Sequence, residues 1–261
     1  MEELKFTISE QLPPNTTVRQ LEDGTILYWT YAPPHKLLAK VNDKLIFADL
    51  PGDLQNAWAS GNVLLVRVNT KIYKVIITSG IFEISYEREV LQDEMICREG
   101  TCLRRDGEEM YIYRICDHPL RDSVLLNEST RQQLRGFQHI FIRKSTAFIV
   151  TETTKRHPSV IAQADNIFIV EIPRSTNGAV RMFFNKSSPL FYISSGYVLY
   201  TFNTDTMQFL PALKVVGINQ IACIAGVYNG VITVDANGCI ATAQLPVDYF
   251  TSTKPGSAAE K

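Results

Sequence analysis

GVYNGVITVDANGCIATAQL, Gly226 to Leu245, is the stretch that decides the fold. Val231–Val234 is a short run of β-branched residues, and a second apolar run begins after the Asn237-Gly238 pair. Glycine, and to a lesser degree asparagine, tolerates the positive φ that a tight hairpin turn requires, because the turn must match the twist of its flanking strands. Two such runs separated by such a dipeptide predict an antiparallel hairpin.

The same pattern recurs along the chain. ILYWTYAPPHKLLAKV, LLVRVNTKIYKVII, YIYRICDHPLRDSVLL, IFIVEIPRSTNGAVRMFF and VLYTFNTDTMQFLPAL each read as an apolar run, a polar tip and a second run. Turn dipeptides such as Asp23-Gly24, Ser79-Gly80, Asp106-Gly107 and Ser195-Gly196 punctuate the runs. The widest interval, AFIVTETTKRHPSVIA, holds room for one more unit. The tips recur irregularly, about every 40 residues, which is the spacing of propeller blades built from four short strands. The expected fold is therefore all-β: a β-propeller of six or seven small antiparallel blades, with a β-sandwich pair or a barrel as the alternative. Residues 1–250 form one domain in this reading, and 251–261, TSTKPGSAAEK, form a disordered polar tail. LKFTIS near the N-terminus closes the ring by pairing with the last blade, so that no sheet edge stays open. Helical signal is thin. Asn127–Gly136 and Ser85–Met95 read as short polar helical turns without a wide apolar stripe.

On these residues the chain resembles the β-propeller superfamily and, within it, the WD-repeat-like group. Val234-Asp235 stands where a WD dipeptide would stand, ahead of the Asn237-Gly238 turn, and Tyr200–Leu213 is similar to the outer hairpin of WD or kelch blades. The chain departs from that group in lacking a Gly-His pair at the start of a blade, and Trp29 and Trp58 are not in WD dipeptides. No functional residue is carried over from the resemblance.

Composition narrows the function. Of 261 residues, 45% are hydrophobic and 20% charged, an ordinary globular balance. The net charge of −1 gives no strong phosphate-binding field, so nucleic acid is not the expected partner. No apolar stretch approaches the roughly 18 residues that span a bilayer, and no membrane partner is expected. The first residues, MEELKFTISEQLPP, lack the basic and apolar regions of a signal peptide. Five cysteines, an odd number in a long chain, differ from a secreted disulfide framework. An intracellular location, cytoplasmic or nuclear, follows, and the sequons at Asn15, Asn127 and Asn185 are read as chance matches.

The most chemical stretch is Cys97–His118, with Cys97, Cys102, Cys116 and His118 as zinc-competent ligands. Hairpin register argues against convergence. An Asp106–Glu109 turn pairs Arg105 with Met110 and Cys102 with Tyr113, which places Cys116 about 10 Å along the strand and on the opposite face. A tighter Asp106-Gly107 turn pairs Cys102 with Tyr111 and moves Cys116 farther still. Cys97 and Cys102 face each other across their own turn, as a disulfide in an oxidising setting or as two thiols in a reducing one. No metal and no cofactor is expected. There is no Gly-x-Ser-x-Gly elbow and no glycine-rich phosphate loop. His35, His118 and His157 lie in loops, and His139 opens a strand.

What remains are surface features suited to a protein partner. Trp29, Tyr31 and His35 flank Pro33-Pro34, and aromatic side chains of this kind anchor interfaces; a tryptophan in a blade core is the plainer reading. Arg104-Arg105 and Lys155-Arg156-His157 are basic loop clusters that suit an acidic surface; charged tips that keep a strand edge soluble are the plainer reading. The sequence therefore points to a non-catalytic protein-interaction module, a scaffold subunit of an intracellular complex. Its rivals are a propeller hydrolase or lactonase with a channel metal, and a substrate-receptor or nucleic-acid-associated subunit.

Overall fold

A computed structural model describes residues 1–12, 16–21, 25–30, 36–41, 44–60, 62–96, 100–115, 123–126, 139–164, 166–175, 180–184, 188–219, 221, 223–228, 231–236, 238–246 and 249. The N-terminal segment forms β1 (Glu2–Lys5) and β2 (Thr7–Gln11). Blade 1 follows as β3 (Thr16–Gln20), β4 (Ile26–Thr30), β5 (Lys36–Val41) and β6 (Lys44–Asp49). Blade 2 is β7 (Leu54–Ser60), β8 (Val63–Val68), β9 (Lys71–Thr78) and β10 (Ile81–Glu89). Blade 3 is β11 (Glu94–Ile96), β12 (Thr101–Asp106), β13 (Glu109–Arg114) and β14 (Val124–Leu126). Blade 4 is β15 (Ile140–Arg143), β16 (Thr146–Thr153), β17 (Ser159–Ala164) and β18 (Ile167–Pro173). Blade 5 comprises β19 (Arg181–Phe184), β20 (Leu190–Ser195), β21 (Val198–Asn203), β22 (Gln208–Phe209) and β23 (Leu213–Val216). Blade 6 comprises β24 (Cys223–Tyr228), β25 (Val231–Ala236) and β26 (Cys239–Gln244).

The core explains why six small sheets form one body. Each pair of neighbouring blades shares its own apolar cluster. Leu27, Leu37, Ala57 and Leu64 join blades 1 and 2, and Trp58, Leu65, Cys102 and Tyr113 join 2 and 3. Leu103, Ile112, Ile140 and Ile149 join blades 3 and 4. Phe148, Val170, Phe191 and Phe202 join 4 and 5, and Leu199, Leu213, Ala241 and Ala243 join 5 and 6. Leu12 and Ile240 meet Tyr28, which brings blade 6 back to blade 1 and closes the ring. Middle strands are covered on both faces, so they read as continuous apolar runs, as in VLLVRV of β8 and TAFIVTET of β16. The outer strand β10 alternates instead, because only one of its faces meets a neighbour.

Closure differs from the expected single strand. LKFTIS divides at Phe6: β1 pairs parallel with β23 of blade 5, and β2 pairs antiparallel with β26 of blade 6. The Phe6 amide donates to Val216 O at 2.9 Å between the two pairings. The hairpins around residues 69, 204 and 236 form as read, as do the pairings of β4 with β5 and β13 with β14. IFIVEIPRSTNGAVRMFF is a correction. Its two runs are β18 and β19, which belong to different blades, so the polar stretch between them is a blade-to-blade link.

Blade 4 is also irregular. β18 lies between β16 and β17, parallel to β16, so the third strand in sequence becomes the outer edge. Ser85–Met95 is not helical. Its first part continues β10 in register with β9, with a bulge between Tyr86 and Arg88, and its end enters β11. The expected helix at 127–136 and the tail at 251–261 lie outside the described residues. No described helix is long and apolar enough to cross a membrane.

Candidate functional site

Strand direction sorts the connections onto two faces of the ring. Strands alternate across a blade, so the first-to-second and third-to-fourth turns emerge on one face. The second-to-third turns and the links between blades emerge on the other. Hydrogen bonds join features that this rule places together. On the linking face, Leu12 N donates to Gly238 O, Val90 N to Thr70 O and Arg105 N to Asp93 O, at 2.5, 2.7 and 3.4 Å. On the opposite face, Thr204 N donates to Pro189 O at 2.9 Å. Arg143 spans blades 4 and 5 there, donating to Thr204 Oγ1 at 2.8 Å and Asp205 Oδ1 at 2.5 Å.

The described candidate residues fall on the linking side. Trp29 lies near the end of β4, opposite Thr17 and Leu37 in the backbone register. Tyr31 and His35 belong to 31–35, outside the described residues. Arg104 pairs with Glu94 and Tyr111, and Arg105 with Met110. Arg105 Nε donates to Gly107 O at 3.0 Å, so it braces its own hairpin. That hairpin also exposes Asp106, Glu108 and Glu109, and the Tyr111 hydroxyl donates to Glu109. The bond raises the Tyr111 pKa. Arg104-Arg105 is thus basic in sequence but belongs to a tip of mixed charge.

The second cluster keeps its basic character. Lys155, Arg156 and His157 are exposed on the link from β16 to β17. Lys155 Nζ meets Glu171 Oε2 at 2.5 Å, and Ser159 Oγ donates to the same oxygen at 2.7 Å. Those two bonds, the lysine's first, hold the Glu171 pKa below the ordinary value. Arg174 is exposed at the end of β18, and its amide donates to Thr153 O at 2.9 Å. Lys155, Arg156 and Arg174 therefore outnumber Glu152 and Glu171 at this corner.

A buried polar cluster went unrecognised in the sequence. At the seam of blades 2 and 3, Arg88 Nη1 and Nη2 donate to Glu94 Oε2 and Oε1 at 2.8 and 2.7 Å. Tyr113 donates its hydroxyl to Oε1, and Leu91 N donates to Oε2 at 3.1 Å. The Glu94 side chain is 0% exposed. Burial pushes its carboxyl up, but the bonds from Arg88, Tyr113 and Leu91 outweigh that and leave its pKa below the usual carboxylate value. Burial, then the bond to Glu94, pushes the Tyr113 hydroxyl far up. Both carboxylate oxygens already carry two donors each, so this cluster stitches blades together and has no spare acceptor for a ligand. Arg88 and Glu94 stand six residues apart in sequence, but they lie on β10 and β11 of different blades, a relation that no local pattern announces.

Cys102 is buried in the same seam, with Arg88 Nη2 3.8 Å from its sulfur. Its partners are Tyr113, as the wider turn predicts, and Ile96. The expected facing of Cys102 and Cys97 is corrected by that register, because Ile96 occupies the opposing position. Cys97, Cys116 and His118 lie outside the described residues. Among the described residues, no group of three or more His, Cys, Asp or Glu is arranged to hold a metal ion.

Comparison with known proteins adds the fold class. No protein-family model matches the sequence, and no curated protein does. A streptogramin B lyase structure superposes with a TM-score of 0.55 at 10% identity, covering 92% of this chain and 98% of that one. PorZ, a bacterial surface component of the type-IX secretion system of Porphyromonas gingivalis, gives a TM-score of 0.51 at 9% identity. It matches over 92% of this chain and 33% of its own length. The β-propeller domain of Myceliophteria thermophila Cps50 (Swd1) gives 0.42 at 11% identity, over 88% and 83% of the two chains. The chain has the β-propeller fold.

Proposed function

We propose that this propeller is a non-catalytic protein-interaction module, a scaffold subunit of an intracellular complex that contacts an acidic protein surface through its linking face. The observation that carries the reading is the corner of blade 4, where Arg156, His157 and Arg174 stand exposed on a rigid frame. Loops on a stiff scaffold are where contacts are made at little ordering cost. The buried carboxylate of Glu94 is consumed by the seam, which favours a structural use of the polar core over a chemical one. The likeness to a lyase is one of fold, and folds host many functions.

The test is purification of the tagged full-length chain from its source cells, as wild type and as Arg156→Glu with Arg174→Glu. The reading expects a protein in stoichiometric amount with the wild type and its loss from the double variant. Recovery of the chain alone, with one divalent metal ion per chain, overturns it in favour of a channel-metal hydrolase.

A further inference from the structure

The strand exchange in blade 4 has left an edge unlike the others. The other described outer strands carry charge or are short. β6 reads KLIFAD, β10 IFEISYERE, β1 EELK and β2 TISEQ, while β14 and β22 have three and two residues. β17 reads SVIAQA, six residues without a charge. It pairs with β18 alone among the described strands. Its bulge lies late, between Ala162 and Ala164, so Ser159–Ala162 keeps regular pairing. Every second residue of such a strand turns its N–H and C=O outward, a template for one more strand. Ile161 is 40% exposed, and Ala162 is exposed beside it. The basic link at 155–157 runs directly into the start of this strand.

We propose that the edge of β17 takes up an extended segment of a partner protein as an added antiparallel strand, an inference that rests on the interaction-module reading and names its mode. The segment has an uncharged, β-prone centre that pairs with Ser159–Ala162 and acidic residues at its C-terminal end. Antiparallel addition sets that end beside Arg156, His157 and Arg174, where basic charge is in excess. Backbone bonds supply the affinity, and the acidic end supplies direction and register. Ile161 offers an apolar contact for one side chain of the added strand.

The experiment selects binders to the full chain from a phage library of random twelve-residue peptides and synthesises the strongest. The expected peptide is acidic at its C-terminal end. Its affinity falls about tenfold or more for Ile161→Lys and for Arg156→Glu, and when its alternate amides are N-methylated to remove strand pairing. Phe47→Lys on the outer strand of blade 1 serves as a control that keeps full affinity, and circular dichroism confirms that each variant folds. Selection of no peptide, or of peptides indifferent to both Ile161→Lys and N-methylation, overturns the edge as the site. If the wild type is a dimer by light scattering and Ile161→Lys a monomer, a second copy covers the edge and the proposed partner is wrong. A native partner that co-purifies equally with wild type and Ile161→Lys, yet is lost from the Arg156→Glu and Arg174→Glu variant, overturns strand addition while leaving the module reading intact.

Discussion

Gly217 is where ring closure can be tested by a single methyl group. Its φ is +90°, and a Cβ built there lies 2.4 Å from Phe6 O, 3.3 Å from Phe6 C and 3.4 Å from Phe6 N. These are backbone atoms of the strap between β1 and β2, so no side-chain rotation relieves the contact. Gly217→Ala therefore carries two costs. Left-handed backbone at a residue with a Cβ costs about 1–2 kcal/mol. Displacing the strap weakens the Phe6 N to Val216 O bond, about 1 kcal/mol, and partly uncovers Phe6, which is 3% exposed, for about 1–2 kcal/mol more. The expected loss is about 3–5 kcal/mol, or roughly 10 °C in Tm for a domain of this size. Gly80→Ala separates the two costs, because Gly80 has φ +77° and nothing within 4 Å of its Cβ. It should lose only the backbone cost of about 1–2 kcal/mol. Urea unfolding of both variants is the assay. Losses that agree within about 0.5 kcal/mol would show that the strap does not pass over Gly217 and would refute the closure described above.

The Glu94 seam and the turns give further expectations. Glu94→Gln should cost about 2–4 kcal/mol, because it leaves Arg88 without its bidentate partner in a largely buried seam. Since the folded-state pKa of Glu94 is depressed, its contribution is fully present above the ordinary carboxylate pKa of about 4.3 and is lost as pH falls through the lower folded value. Urea midpoints of wild type and Glu94→Gln should differ constantly from pH 5 to 7, as roughly bounded by that pKa, and converge below about pH 4; a gap that widens in acid would contradict the seam. Lys144 and Ser145 both hold positive φ, 49° and 60°, in the β15–β16 turn. Ser145→Gly should stabilise by about 0.5–1 kcal/mol, relief of backbone strain exceeding the added freedom of the unfolded chain. A loss in the thermal midpoint would count against that turn geometry.

Much of the ring was legible because its hairpins obey local rules. Gly238 and Ser79-Gly80 sit where positive φ is needed, with Gly238 at +86° and Ser79 and Gly80 at +52° and +77°. The Cys102–Tyr113 register is the one of two that the wider turn predicts, and the structure selects it over the Tyr111 pairing of the tighter turn. What escaped the sequence depends on three-dimensional neighbours. β17 and β18 are joined by a short turn, so nothing local announces that β18 inserts beside β16. The division of LKFTIS at Phe6 is set by which blade edge lies within reach, and no pattern within six residues encodes that. Arg104-Arg105 looked equivalent to Lys155-Arg156-His157 until the hairpin placed Asp106, Glu108 and Glu109 around the first pair. Ser85–Met95 is polar enough to suit a short helical turn, whereas its first part is held as strand by β9 and its end by β12.

The most direct test of a partner held on the linking face is hydrogen exchange across the chain, alone and in the complex recovered from source cells. Added protection should appear at 153–164 and 174, with little change at 143–146 and 204–207, which lie on the opposite face. Protection centred on 143–146 and 204–207, with 153–164 unaffected, would contradict the account.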